Sequence, residues 1–273
     1  VDKPPIIGVI GMGFVGGAVF RGFSSWTETR GYDIDERRRT HSLEEVLACD
    51  LIFVCLPTPM PRPDGGAARL DIIHDAFKLI SETPFNPQGI FVLKSTVPVW
   101  TTNELADTYG LRLIHNPEFL TAKNADIDFL TPSRVVLGGP IPLIEEVGRM
   151  YAQRFPGVSI LLMTASESEA VKYVSNCFLA VKVLFFNEMS LGMARFGLDW
   201  ERVIEGVLSD GRIGRSHYSA PGDDGVHGFS GSCFPKDIAA LIEQLHTSDF
   251  DPLLLKATWE QNKRIRPEMD WFP

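Results

Sequence analysis

The hexapeptide Gly11-Met12-Gly13-Phe14-Val15-Gly16 stands between the apolar run Ile6 to Ile10 and a helical pattern from Ala18 to Phe23. Strand, glycine turn and helix in that order open a βαβ unit, and the small residues let backbone approach a pyrophosphate at an exposed helix N-terminus. Asp33 follows about twenty residues on, where a carboxylate can accept from both ribose hydroxyls, which favours NAD over its 2′-phosphorylated form. Arg37, Arg38 and Arg39 would suit the phosphorylated form, but read more simply as a solvated helix start. Gly11, Gly13, Phe14, Val15, Gly16 and Asp33 are therefore the expected cofactor-binding residues.

Further apolar runs follow at Leu51 to Leu56, Ile90 to Leu93, Leu111 to Ile114, Arg134 to Leu137 and Ile160 to Met163, most of them separated by helical segments. Strands that are apolar without alternation belong to a parallel sheet covered on both faces, so residues 1–164 are expected to form a doubly wound α/β domain of the Rossmann type. The texture then changes. Ser166-x-x-Glu169 has the spacing of a capping box, and residues from Ala170 to Phe196 are apolar almost all round before Gly197. That predicts one long central helix, whose apolar faces call for a covering partner such as a second subunit. Helices are expected over Asp199 to Leu208, Pro235 to Leu245 and Pro252 to Ile265, with a long Gly-rich loop from Ser209 to Ser232. Residues 165–273 thus read as a central helix with a helical dimerisation and substrate domain.

A hydrophobic fraction of 44% over 273 residues is ample for a core, while a formal charge of −9 speaks against nucleic acid as a partner. No uninterrupted apolar run is long enough to span a membrane, and the start Val1 to Pro5 lacks a signal-peptide core, so a cytoplasmic enzyme is expected. Cys49, Cys55, Cys177 and Cys233 have neither metal-ligand spacing nor the density of a disulfide scaffold, so no metal and no disulfide is expected.

The chemistry concentrates in the second half. Gly228-Phe229-Ser230-Gly231-Ser232-Cys233-Phe234-Pro235-Lys236-Asp237 puts a thiol just before a Pro-started helix, whose N-terminal partial charge favours the thiolate. Cys49, Cys55 and Cys177 read as small core residues. Lys172 and Asn176 stand four apart on the long helix, two donors able to steady an oxyanion.

Taken together, Lys94-Ser95-Thr96-Val97-Pro98, Asn116-Pro117-Glu118-Phe119-Leu120, Glu169-Ala170-Val171-Lys172 with Asn176, Phe186-Asn187-Glu188, Arg212-Ile213-Gly214 and the Cys233 segment resemble the UDP-glucose and GDP-mannose 6-dehydrogenase family. The resemblance runs over nearly the whole chain. It implies a dimer built on the long helix and a two-step oxidation of a sugar primary alcohol to a carboxylate with two NAD. By the same resemblance Cys233 forms the thiohemiacetal and thioester, and Lys172 and Asn176 steady the oxygen. Glu118 and Asp237 are acid-base groups around hydrolysis, and Thr96 helps to place a water. Thr58 and Pro59 match the turn beside the cofactor. Phe119, Leu120, Arg212, Gly228 and Phe229 match contacts to the sugar nucleotide, Arg212 from the other subunit.

Four departures from the family pattern stand out. The third domain that holds much of the nucleotide is absent from this sequence, which ends at Pro273, so the expectation is a truncated form, a domain supplied by another chain, or a substrate that is smaller or held differently. Ala122 replaces a second glutamate four residues after Glu118. The loop Ser216 to His227 is long and carries Pro221-Gly222-Asp223-Asp224-Gly225, and Ser230 stands where glycine is usual. Two alternatives remain open: a two-electron alcohol dehydrogenase of the β-hydroxyacid dehydrogenase type, which the length favours, and a non-catalytic NAD-binding dimeric regulator.

Overall fold

The computed structural model describes residues 3–121 and 123–272; Ala122 lies outside the described residues. Along the chain the elements are β1 (Ile7–Ile10), α1 (Phe14–Ser24), β2 (Thr29–Tyr32), α2 (Leu43–Leu47), β3 (Leu51–Val54), α3 (Asp71–Glu82), β4 (Ile90–Leu93), α4 (Thr101–Tyr109), β5 (Leu113–His115), α5 (Ala125–Leu130), β6 (Arg134–Gly138), α6 (Ile141–Arg154), β7 (Ser159–Met163), α7 (Ala165–Arg195), α8 (Trp200–Leu208), α9 (Phe234–Thr247) and α10 (Leu253–Ile265). Two compact units result: the chain up to Thr58 with Arg69–Lys172, and Pro59–Ala68 with the chain from Tyr173 onward.

The first unit is a doubly wound sheet in the order β2-β1-β3-β4-β5-β6-β7. Its central strands are apolar throughout because both faces are covered, and alternate residues go to opposite sides. Leu51 and Phe53 join one core with Ile7, Val9 and Phe23, while Ile52 and Val54 join the other with Phe77 and Leu93. Neighbouring strands run parallel except at β5 and β6, which meet antiparallel through one residue pair, His115 and Gly138. An all-parallel sheet, as the apolar runs suggested, is therefore corrected at this one junction.

A strand that the apolar runs do not reveal, β2, lies at the edge of the sheet. Its sequence Thr-Arg-Gly-Tyr is only partly buried, so pairing with β1 rather than apolar patterning makes it a strand. The expected helix start at Arg37 to Arg39 is instead a turn. Arg37 and Arg38 pair with Asp35, and Arg39 pairs with Glu36, all at the surface.

The start of α7 also differs from the sequence reading. The reciprocal cap is made two residues earlier, by Thr164 and Glu167: the Glu167 carboxylate accepts from the Thr164 amide at 2.8 Å, and Thr164 Oγ1 accepts from the Glu167 amide at 3.3 Å. Glu169 is fully buried and turned elsewhere. Its carboxylate accepts from the amides of Trp100 and Thr102, each at 2.7 Å, and from the Thr102 hydroxyl at 2.5 Å, closing the N-terminus of α4. Trp100, at φ 82, leaves that terminus no side-chain cap of its own, so a carboxylate 67 residues away does the work.

Helix α7 is long and apolar enough, by length and composition, to cross a membrane. Its first turns carry buried Glu169, Lys172 and Asn176, so that end of the helix is seated in protein. Val174, Phe178 and Phe185 share one face and are 61%, 64% and 55% exposed, so the described residues leave that face uncovered.

In the second unit, Met60, Cys177, Ala180, Leu184, Phe229, Ile238, Ile242, Trp259 and Trp271 form the core. Two indoles pin the segment 59–68 to it, Trp259 donating to Asp64 O and Trp271 to Pro63 O.

Candidate active site

At the carboxyl ends of β1, β3 and β4 the first unit presents three turns, the place where a doubly wound sheet takes its ligand. Gly11 has φ +85, and a Cβ there would lie 2.4 Å from the Cys55 carbonyl oxygen; a Cβ on Gly16 would lie 1.8 Å from the Gly11 oxygen. These two glycines are required by the turn itself. Gly13 is different, since nothing lies within 4 Å of a Cβ built on it. It caps α1 with no side-chain hydrogen bond and no acid in the first turn, so the helix N-terminus faces an open space suited to a pyrophosphate. Asp33 accepts from the Met12 amide at 2.7 Å and the Asp35 amide at 2.9 Å, which ties the acid to the glycine turn. Buried Thr58 donates to the Thr96 carbonyl at 2.7 Å, and the Leu56 amide donates to Ser95 Oγ at 2.9 Å, joining the second and third turns.

Beside these turns lies a cavity of about 260 Å³ lined by Lys94, Glu118, Phe119, Leu120, Arg134 and Tyr151, among others. Lys172, on α7, donates to Glu118 Oε1 at 2.8 Å and to its carbonyl at 2.7 Å. Burial pushes the Glu118 carboxyl upward, but the Lys172 charge and hydrogen bond and the Leu120 amide outweigh it and hold it below the ordinary glutamate range. Of the three donors on the Lys172 ammonium, Glu118 takes two. Phe119 lies under the Arg134 guanidinium, 4.2 Å from its ring centroid, with the Lys172 ammonium at 5.5 Å.

Behind Glu118 stands a buried polar network. Lys94 donates to Asn116 Oδ1 at 2.9 Å and to its carbonyl at 3.1 Å; Tyr151 donates to Asn116 Oδ1 at 2.7 Å, and Asn116 Nδ2 to Val136 O at 2.8 Å. Burial lowers the Lys94 ammonium to about 8. The network fixes the first residue of the Asn116-Pro117-Glu118 turn and so the starting point of Glu118.

The second unit holds the thiol. Cys233 is the N-cap of α9, with Pro235 in the first turn, and it is exposed, whereas Cys49 and Cys177 are buried and Cys55 partly so. Burial pushes the Cys49 thiol to about 11 and that of Cys55 to about 12, and raises Cys177 as well, in keeping with core roles. One turn after Cys233, Asp237 is 1% exposed. Its amide donates to the Cys233 carbonyl at 2.9 Å, Asn176 Nδ2 donates to its Oδ2 at 2.6 Å, and Lys236 pairs with its other oxygen. Asn176 retains one further amide hydrogen.

Gly228 and Phe229 are buried, and the Phe229 ring belongs to the core beside Trp259. Asn262 accepts from the Phe229 amide at 2.8 Å and donates to its carbonyl at 3.0 Å, while Asn187 accepts from the Gly228 amide at 3.1 Å. Arg212 points outward, its side chain 90% exposed and paired with Asp210; Lys182 donates to the carbonyls of Ile213 and Gly214 behind it. Among the described residues no three His, Cys, Asp or Glu side chains gather as a metal site.

Sequence reasoning passed over Tyr151, Arg134, Lys182 and Asn262. Lys94 and Asn187 fell inside quoted motifs but received no role. The one local signal was a Lys or Asn within an otherwise apolar stretch, which marks a buried polar group in need of partners without naming them.

Residues 35–153 match the NAD binding domain of the UDP-glucose/GDP-mannose dehydrogenase family, and residues 166–264 match the central domain of that family. The chain is 36% identical over 225 residues to the UDP-glucose 6-dehydrogenase of Rickettsia prowazekii, covering 80% of this chain and 50% of that one. It is 36% identical over 239 residues to the UDP-glucose 6-dehydrogenase of Pseudomonas aeruginosa, covering 82% and 51% respectively. The chain thus spans about half the length of these relatives. Among solved structures, a UDP-glucose dehydrogenase from Pyrobaculum islandicum superimposes with a TM-score of 0.84 at 29% identity, over 96% of this chain and 68% of that one. A 3-hydroxyisobutyrate dehydrogenase from Mycobacterium tuberculosis shares the fold, with a TM-score of 0.77 at 17% identity over 98% of this chain and 95% of that one.

Proposed function

This chain belongs to the UDP-glucose/GDP-mannose dehydrogenase family, and on that premise we propose that it oxidises a primary alcohol to a carboxylate in two steps. The substrate is a sugar nucleotide or a related nucleoside or sugar phosphate. The observation that carries this reading is the exposed Cys233 thiol at the start of α9, one turn before the buried Asp237 that Asn176 contacts. A single oxidation to an aldehyde has no use for a nucleophile; oxidation onward to an acid does.

The cofactor is NAD, whose binding domain the chain carries; when bound it accepts two electrons and a hydrogen from the substrate carbon in each oxidation. In the first step the alcohol carbon loses that hydrogen and its hydroxyl loses a proton, leaving an aldehyde. The Cys233 sulfur, as thiolate, forms a bond to the aldehyde carbon while the carbonyl oxygen takes a proton. Lys172 and Asn176 each keep a donor to steady that oxygen as charge develops. The thiohemiacetal carbon then loses its remaining hydrogen with the electron pair, and the oxygen its proton, giving a thioester. Water adds, the carbon–sulfur bond breaks, the thiolate leaves and the acid is released. Glu118, held ionised by Lys172, and Asp237 move protons in hydrolysis, and Thr96 places the water.

Gly11, Gly13, Phe14, Val15, Gly16, Asp33, Thr58, Pro59 and Thr96 hold the cofactor in a region spanning residues 1–164. Residues 165–273 supply dimerisation and substrate contacts. Phe119, Leu120, Arg212, Gly228 and Phe229 contact the sugar nucleotide, Arg212 reaching into the other subunit of a homodimer that covers Val174, Phe178 and Phe185. The enzyme works in the cytoplasm, as an NAD-dependent enzyme of nucleotide-sugar chemistry would.

Two-electron oxidation of the β-hydroxyacid type is the second reading, since Lys172 and Asn176 could steady an oxygen in a single oxidation without any use of Cys233. Incubation with NAD and a panel of UDP-glucose, GDP-mannose, nucleosides and sugar phosphates separates the readings. Two NADH per substrate and a carboxylate product, both lost in Cys233→Ser, support the thioester route. One NADH with an aldehyde or ketone product supports the second reading, and NAD binding without turnover of any substrate supports a regulator.

A further inference from the structure

The segment that leads into Cys233 is anchored by a buried cation. Arg266 has a side chain only 3% exposed and donates to two carboxylates. Its Nη2 lies 2.5 Å from Asp224 Oδ2 and 2.7 Å from Asp270 Oδ2, and its Nε lies 3.0 Å from Asp270 Oδ1. Asp270 Oδ1 also accepts from Ser230 Oγ at 3.0 Å. Asp224 and Ser230 are two of the places where the sequence departs from the family pattern, an acid in an extended loop and a serine in place of glycine. Both close on the same guanidinium cluster.

Resting on the thioester reading, we propose that Arg266, Asp224 and Asp270 form a positioning clasp that, through Ser230, sets how Cys233 meets its substrate. Asn262 and Asn187 already hold the backbone at Gly228 and Phe229. Ser230 is then the last residue tied to the clasp before Cys233, whose own carbonyl is held from α9 by the Asp237 amide and whose sulfur lies 3.8 Å from Ser232 Oγ. Only Gly231, at φ +81, and Ser232 lie between them, and a glycine in that conformation gives the chain freedom to swing. Two anchored residues therefore become three, and the arc open to the sulfur narrows. Asp224 is paired to Arg266, so this acid of the loop braces the site rather than confronting the phosphates of a nucleotide.

The test compares native protein with Ser230→Gly, Arg266→Met and Arg266→Lys in two assays. One is the rate at which iodoacetamide alkylates Cys233, read by peptide mass; the other is the kcat and KM for NAD and substrate. Ser230→Gly and Arg266→Met are expected to raise alkylation of Cys233 about tenfold, the weight of one charge-assisted hydrogen bond in a local equilibrium. They are expected to lower kcat while leaving the KM for NAD unchanged, and Arg266→Lys to restore part of both. Ser230→Gly removes no buried charge, so it decides the question even where Arg266→Met does not fold. Native alkylation and native kcat in folded Ser230→Gly would overturn the clasp while leaving the proposed reaction standing. Altered alkylation in the variants, with no turnover of any substrate by native protein, would keep the clasp and overturn the reaction.

Discussion

Lys172 Nζ stands 2.8 Å from Glu118 Oε1, with the lysine side chain 4% and the glutamate side chain 10% exposed. A pair this deeply buried is held by mutual need, since each charge would be costly alone. Lys172→Met is therefore expected to destabilise the protein by about 3–5 kcal/mol, the usual cost of stranding a buried partner. Adding Glu118→Gln should recover part of that loss. Urea unfolding of the two single variants and the double variant checks this; strictly additive losses would show that the two groups do not depend on each other.

The same pair sets a pH dependence. Glu118 is held below its unfolded value, so its contribution is fully present above the ordinary glutamate pKa and is lost as pH falls through the lowered one. The stability gap between native protein and Glu118→Gln should persist at neutral pH and close only in acid, below about pH 4. A gap that closes between pH 7 and 5 would contradict the assignment.

Gly16 and Gly13 should fail in different ways. Gly16→Ala drives a Cβ into the Gly11 carbonyl oxygen, where backbone meets backbone, and should cost about 1–3 kcal/mol as overpacking. Gly13→Ala meets nothing, so the fold should melt as the native protein does while NAD binding weakens by tenfold or more. Calorimetric titration with NAD, paired with thermal melts, reads both. Native NAD affinity in Gly13→Ala would remove the pyrophosphate from this turn.

His115 offers an acid-sensitive tie inside the first unit. It is fully buried, with Nδ1 2.9 Å from Ser168 Oγ, and burial, with Lys94 and Lys172 adding to it, lowers it to about 3. The unfolded chain takes up the proton near pH 6.5, well before the folded one does, so stability falls as pH drops from 6.5 toward 3. The slope is about 1.4 kcal/mol per pH unit, and His115→Gln should flatten it between pH 6.5 and 4.5. Identical slopes in the urea midpoints of both proteins would rule out a neutral His115 in the fold.

Much of this was written locally in the chain. The glycine spacing before α1, the apolar strands β1, β3 and β4, the length of α7 and the thiol ahead of Pro235 are all set by residues within a few positions of one another, where period and turn chemistry act directly. Such features survive any arrangement of the rest. The edge strand β2 was not legible, because four polar or small residues become a strand only when β1 offers its hydrogen bonds. Nor was the antiparallel junction of β5 with β6, since apolar runs do not state direction.

Tertiary structure alone decided the partnerships of buried polar groups. Glu169 has the spacing of a cap for its own helix, yet it closes α4, 67 residues earlier in sequence, because desolvating a carboxylate is tolerable only where several donors converge. Lys94, Asn116 and Tyr151 meet through two strands and a helix, and Arg266 finds Asp224 42 residues away. The sequence could name which residues must be satisfied; only the folded chain, by bringing distant donors and acceptors within about 3 Å, determined by whom.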